Sequence, residues 1–216
     1  MRRLMGGCLA MLMLFPVLTR AEFTEGRQYM QVPFPTAVET GNKIEVRELF
    51  WYGCSHCYAL EPGLTRWLKK LPANAQFVRT PATAAPHWQI HAQAYYTFEA
   101  LGAMGKLHDA FFKAAQEQPG VVADEKGITD FAVRHGIDRK KFTEAFNSFG
   151  VRLKFEKAKQ VNQDLNINSV PTLVVDGKYL TSAAMAGGEE PLFKLLDQLI
   201  SKAAKERNGN KKAAKP

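Results

Sequence analysis

Glu48-Leu49-Phe50-Trp51-Tyr52-Gly53-Cys54-Ser55-His56-Cys57 is the stretch that decides the fold. An apolar run ends in a glycine, and two cysteines separated by two residues follow. Beyond them Leu60, Leu64, Trp67, Leu68 and Leu71 recur at helical spacing. The cysteines therefore fall at a strand-to-helix junction. Upstream, Lys43 to Tyr52 reads as a strand, with Ile44, Val46, Glu48 and Phe50 on one face and Glu45, Arg47, Leu49 and Trp51 on the other. Glu48 is the single charge on the first face. It reads either as an edge-strand acid reaching solvent or as a buried acid whose proton affinity burial raises.

From this junction the chain can be read in both directions. A helix is expected over Ser55 to Leu71, kinked by Pro62 and ended by Pro72. Ala75 to Arg79 is a short strand, which completes a β-α-β unit with a parallel pair. Before it, Gln28 to Val32 reads as a first strand, closed by Pro33 and Pro35, with a turn at Gly41-Asn42. Residues 85–164 show no strand pattern. Helices are expected from Trp88 to Leu101, Gly105 to Gln116, Glu125 to His135, Arg139 to Asn147 and Val151 to Asp164, with Asp124 and Asp138 as N-caps. Strands return at Val170 to Val175 and Lys178 to Leu180, hinged on Asp176-Gly177, a strong hairpin signal. Gly187-Gly188 reads as a loop. A last helix runs from Glu189 to about Lys205, with Leu192, Leu195, Leu196 and Leu199 on one face.

The fold class is thus α/β: β-β-α-β, a helical block, then β-β-α. With 216 residues, 46% of them hydrophobic, the chain can bury one good core with an inserted subdomain. Residues 202–216 carry six cations among Gly, Asn and Ala and read as a solvated, frayed tail; contact with an anionic surface is the functional alternative.

The N-terminus reads as a secretory signal. Arg2 and Arg3 precede an uncharged, mostly apolar run from Leu4 to Leu18, and Thr19 and Ala21 are small residues placed for cleavage after Ala21. The run is shorter than the roughly 20 residues a membrane-spanning helix needs. Cleavage would lower the net charge from +8 to +5, because the segment holds three arginines and no acid. It would also remove Cys8 and leave Cys54 and Cys57 as the only cysteines.

An oxidising compartment favours disulfides. A bridge across two residues, however, closes too short a loop to stabilise a domain of this size. Half a zinc site would need two further ligands, and nothing ties His87 and His91, spaced i, i+4, to Cys54. No metal is expected. A redox dithiol remains. Cys54 falls where unpaired helix N–H groups and the helix dipole favour an anion, and His56 adds positive charge. Lowering the thiol pKa favours the reduced form, which makes the disulfide oxidising. Cys54 is expected to be the exposed, attacking sulfur and Cys57 the buried, resolving one.

Cys54-Ser55-His56-Cys57 after a strand, a helical insertion, and Val170-Pro171-Thr172 later in the chain together resemble the DsbA family of thioredoxin-fold thiol:disulfide oxidoreductases. The resemblance covers essentially all of the chain after the signal. It implies a thioredoxin domain interrupted by a helical one: a signal peptide at 1–21, thioredoxin segments at 22–84 and 165–205, an inserted helical domain at 85–164 and a basic flexible tail at 206–216. It implies oxidation of newly exported proteins with free thiols in the bacterial periplasm, and reoxidation by a DsbB-like membrane protein. No cofactor beyond the Cys54–Cys57 disulfide, no nucleic acid and a monomer are expected.

Carried over by position, Cys54 matches the nucleophile, Cys57 the resolving cysteine and His56 the thiolate-stabilising histidine. Val170-Pro171 matches the loop whose proline is cis and whose preceding residue pairs with extended substrate. Glu48 matches the buried acid that serves the resolving thiol. Glu61 and Arg79 resemble a charged pair near that acid, or are ordinary surface charges. Ser55 departs from the commoner proline, which points to a somewhat weaker oxidant. A reductase or isomerase of the same fold, and a secreted peptide-binding holdase with incidental cysteines, are the alternatives. Trp51 and Tyr52 are expected in the core by default, and with Gly53 they are the residues best placed to help form an apolar rim, because they abut the site. Trp88, Tyr95, Tyr96, Phe98, Phe111 and Phe112 are expected in the core, and His108 and His135 at the surface or capping helices.

Overall fold

A computed structural model describes residues 23–213, with side chains described through residue 209. The expected signal peptide at 1–21 lies outside the described residues. Five strands form one sheet: β1 (Met30–Gln31), β2 (Ile44–Phe50), β3 (Ala75–Pro81), β4 (Thr172–Val175) and β5 (Tyr179–Thr181). Their order is β1-β5-β4-β2-β3, with β2 and β3 parallel and the other pairs antiparallel. Helix α1 (Ser55–Leu68) is the crossover from β2 to β3, and α8 (Glu189–Ala213) follows the β4–β5 hairpin and packs against α1. Between β3 and β4 lie five helices: α2 (Pro86–Ala100), α3 (Met104–Glu117), α4 (Glu125–Arg134), α5 (Arg139–Phe146) and α6 (Phe149–Asp164). This is a thioredoxin fold with an inserted helical domain.

β2 is buried along its whole length, on both faces. Ile44 and Val46 enter the core formed with α1 and α8, while Leu49 packs with Val174, Leu165 and Ile167 on the other side. Phe50 and Tyr52 join a third cluster built mainly from the helical insertion, with Phe98, Phe111, Phe112 and Phe131; Cys57 belongs to this cluster too. The insertion therefore supplies most of the apolar wall behind the second cysteine.

The β4–β5 hairpin turns through Asp176 and Gly177, both at positive φ, with Lys178 N–H donating to the Val175 carbonyl at 3.0 Å. A Cβ at Gly177 would sit 2.2 Å from the Thr36 carbonyl oxygen, so the turn needs glycine for packing as well as for conformation. α1 continues through Pro62 but ends at Leu68, before Leu71. The residue before Pro72 is disfavoured in helical geometry, so the chain leaves the helix ahead of it. Two short elements escaped the sequence reading: a 3-10 turn at Pro119–Val122 and α7 (Ala183–Ala186), capped by Ser182 and ended by Gly187 at φ 90°.

The C-terminal region differs from its expectation. α8 runs on to Ala213, and residues 206 and 207 are not a flexible tail. Glu206 accepts from the Tyr179 hydroxyl and pairs with Lys178, while Arg207 pairs with Asp176 in the hairpin and donates to the Gly41 carbonyl. Lys202 lies 4.6 Å from the centre of the Tyr179 ring. These side chains find anionic and aromatic partners on β5 and its turn, which holds the helix past Lys205. Among the described residues no helix is long and apolar enough to cross a membrane.

Candidate active site

Cys54 is the N-cap of α1, with extended backbone at φ −84° and ψ 114°. Its sulfur accepts the backbone N–H of Cys57 at 3.3 Å. A helix N-terminus has amides without intrahelical partners, and here one of them is aimed at sulfur. On the other side the Cys54 Sγ is 3.4 Å from the Val170 carbonyl oxygen, and the Val170–Pro171 bond is cis. Val170 and Cys54 are 116 positions apart in sequence, and the antiparallel pairing of β4 with β2 brings them together. A Cβ at Gly53 would lie 2.2 Å from the Trp51 ring, so any larger residue there would have to displace that ring.

The two thiols differ in acidity. The Cys54 thiol is lowered to about 6, first by a hydrogen bond from the Cys57 thiol, then by the amides of Cys57 and His56 and by the His56 charge, all against partial burial. His56 is exposed on the first turn of the helix, so its charge acts partly through solvent. Cys57 is fully buried and its thiol is pushed far up, chiefly by burial, with the charges of Cys54 and Glu48 adding to it. Both cysteines are free thiols in this structure.

Behind the pair lies a buried charge cluster. Glu48 on β2 is fully buried, which excludes the edge-strand reading. Arg79 on β3 donates to Glu48 Oε2 at 3.0 Å and to both oxygens of Glu61 at 2.9 and 2.7 Å. One guanidinium thus faces two carboxylates. Burial raises Glu48 to about 7; Arg79 opposes the shift, while the charges of Glu61 and Cys54 add to it. Burial also acts on Glu61, but His108 and Arg79 outweigh it and hold this carboxyl below its ordinary value. Glu61 and Arg79 are therefore not simple surface charges.

His108 was expected at the surface, and that reading is corrected. It is buried on α3, with Nδ1 2.8 Å from the Tyr52 hydroxyl and Nε2 3.8 Å from Glu61 Oε1. Its sequence signal was its spacing: His108, Phe111, Phe112 and Ala115 repeat at i, i+3, i+4 and i+7 on the buried stripe of α3. His135 does cap α4, its ring nitrogen 2.9 Å from the Phe131 carbonyl.

Of the two readings of the aromatic pair before the cysteines, Tyr52 follows the core one. Tyr52 is a core residue at 1% exposure, whereas Trp51 is half-buried and stacked on Trp88 at 5.2 Å. The aromatic residue that stands exposed beside the cysteines is Tyr58, one position after Cys57, with its ring 5.9 Å from Phe112.

Among the described residues Glu61, His108 and Asp109 form a group of metal-type donors within 4.8 Å of one another. Arg79 already engages both Glu61 oxygens, so the cation this group meets is a guanidinium.

A helix-capping thiolate, a buried partner thiol and a carbonyl from a cis-proline loop, set on a thioredoxin fold, define a thiol:disulfide oxidoreductase. The chain belongs to the DSBA-like thioredoxin domain family, whose pattern matches residues 45–200. It is 41% identical over 195 residues to the thiol:disulfide interchange protein DsbA of Pseudomonas aeruginosa, spanning 90% of this chain and 92% of that one. The DsbA of Azotobacter vinelandii is 41% identical over 207 residues, spanning 93% and 97%. The crystal structure of Pseudomonas aeruginosa DsbA aligns with a TM-score of 0.81 at 41% identity, over 88% of this chain and 97% of that one.

Proposed function

We propose that this protein donates a Cys54–Cys57 disulfide to exported proteins that carry free thiols. The observation that carries the reading is the unequal acidity of the two cysteines, one sulfur at a helix N-terminus and the other sealed in the core. A substrate thiolate attacks the half-buried Cys54 sulfur, the more accessible of the two, the Cys54–Cys57 bond breaks, and its electron pair leaves on Cys57. That sulfur is too basic to remain an anion at neutral pH, so it takes a proton. A second substrate thiolate then attacks the substrate sulfur of the mixed disulfide, and Cys54 leaves as a stabilised thiolate. The substrate has lost two electrons and the enzyme has gained them.

Glu48 is the proposed proton donor to Cys57, and the acceptor when the enzyme is reoxidised. A group titrating at about 7 can do both at neutral pH. The Val170 backbone is the proposed strand-pairing edge for extended substrate, and Tyr58 an apolar contact for it. Both cysteines, Glu48 and the Val170–Pro171 loop lie on one chain; we take the working unit to be a monomer whose redox group is the Cys54–Cys57 disulfide itself. The basic and apolar start of the sequence supports export to the periplasm, and the family resemblance supports reoxidation by a DsbB-like membrane protein.

The test is stoichiometric. Oxidised protein lacking residues 1–21 is mixed with a reduced dithiol peptide. Formation of one peptide disulfide per protein dithiol is expected, and its loss in Cys54→Ala. Absence of transfer from the unaltered protein overturns the reading, and retained function in Cys54→Ala would favour the holdase alternative.

A further inference from the structure

The cluster behind the cysteines has an unbalanced charge. Glu48 and Glu61 share the single guanidinium of Arg79, and Glu48 Oε1 is buried without a hydrogen-bond partner. With both acids ionised, one buried negative charge has no counterpart, and burying an unpaired charge is costly. Either Glu48 holds a proton or a second cation completes the set. The imidazole placed to do so is His108. Its Nε2 is buried, has no hydrogen-bond partner and lies 3.8 Å from Glu61 Oε1.

The groups packed around this ring fit both of its charge states. They are Tyr52 from the turn after β2, Glu61 from α1, Arg79 from β3 behind Glu61, and Tyr95 from α2; Asp109 is the exposed neighbour on α3 itself. Tyr52 is buried, which keeps its phenol protonated, and its oxygen can donate or accept. Donating to Nδ1, it fixes the neutral tautomer with Nε2–H towards Glu61. Accepting from Nδ1–H, it serves the imidazolium equally well. His108 can thus gain a proton without losing its one hydrogen bond. Its ring is held by Phe50 and Phe112 at 5.8 and 5.2 Å, so it stays in place in either state.

We propose that His108 is a positioning residue for the proton step of disulfide exchange: it holds the balancing positive charge of the Glu48–Arg79–Glu61 cluster and so sets how readily Glu48 gives its proton to Cys57. The inference rests on the oxidoreductase reading above. As substrate thiolate bonds to Cys54 and the electron pair of the broken S–S bond settles on Cys57, the Glu48 proton passes to that sulfur. A second proton, taken from solvent by His108, then offsets the new Glu48 carboxylate. Through α3 the helical insertion enters the chemistry, beyond walling off Cys57.

The experiment follows the Glu48 carboxyl by isotope-edited NMR across pH, in the unaltered protein and in His108→Gln, beside the pH profile of dithiol-peptide oxidation. Glutamine can keep a hydrogen bond to Tyr52 but cannot become a cation. The Glu48 midpoint and the matching limb of the rate profile are expected to move up by about half a unit or more, a threefold change in proton concentration. A folded His108→Gln protein with both midpoints unmoved overturns the proposal, even if its melting temperature falls. If His108→Gln does not fold, Tyr52→Phe removes only the phenol that serves the imidazolium; the same upward shift is expected, and none would overturn the proposal. If the unaltered protein oxidises no peptide, the oxidoreductase reading fails, while the Glu48 titration still decides the role of His108.

Discussion

The Cys57 backbone N–H points at the Cys54 sulfur from 3.3 Å, so the second cysteine of the pair helps to hold the charge of the first. The Cys57 side chain adds to this, as the largest single influence lowering Cys54 to about 6. Cys57→Ala removes the thiol donor and leaves the amide. The Cys54 midpoint, followed by thiolate absorbance, is expected to rise clearly in Cys57→Ala and to return part of the way in Cys57→Ser. His56→Ala is expected to raise it by less than Cys57→Ala, because the imidazole is exposed while its amide remains. A larger effect at His56 would contradict this ordering.

Glu48 carries a pH-dependent stability cost. Its folded-state value is raised from 4.5 to about 7, so the folded protein binds the proton more tightly than the unfolded chain does. The stabilisation from the protonated acid is complete below about pH 4 and is lost as pH rises through about 7, to a total of order 3 kcal/mol. Glu48→Gln keeps an acceptor for Arg79 and removes the titration. Denaturant unfolding is expected to show the variant gaining stability relative to the unaltered protein between those pH values, with little difference at the acid end. A pH-independent difference would contradict the burial account.

The hold of α8 on the hairpin gives a prediction about length. Truncation after Lys205 removes Glu206 and Arg207, which contact Tyr179, Lys178 and Asp176. Asp176 is buried and would keep only Lys178, 3.5 Å away, so one of its two cationic partners is lost from a place where charge pairing matters. A loss of about 1–3 kcal/mol is expected, read as a lower melting temperature. An unchanged melting temperature would restore the reading of 206–216 as a free tail.

Much of the architecture was legible in the sequence because local pattern and tertiary role agreed. The buried run of β2, the leucine stripe of α1 and the Asp176-Gly177 turn each point to the element they form. So did the isolated acid Glu48 on an apolar strand face. What stayed hidden depended on partners far away in the chain. His108 meets Glu61 and Tyr52 across three elements, and no local rule pairs them. Tyr52 reads as core by default and as a rim candidate because it abuts the cysteines; what its local sequence does not show is that α2 and α3 cover it. Lys202 to Arg207 looked like a solvated run because Asp176 and Tyr179, which receive it, lie on a distant hairpin.

Ser55 occupies the first position of α1 and is exposed, where a proline ring is tolerated because no intrahelical N–H is lost. Fixing φ there stiffens the turn that presents amides to Cys54. Ser55→Pro is therefore expected to shift the equilibrium with glutathione several-fold towards a stronger oxidant. A shift in the opposite direction would show that the serine hydroxyl stabilises the thiolate more than rigidity does.

The most direct test of the central claim, that a stabilised Cys54 thiolate makes the disulfide oxidising, is the equilibrium of the unaltered protein with glutathione at neutral pH. A reduction potential well above the roughly −270 mV of thioredoxin is the expected result, with the reduced form favoured. A potential at or below that value would mean that the lowered pKa of Cys54 does not govern the redox balance, and would contradict the account.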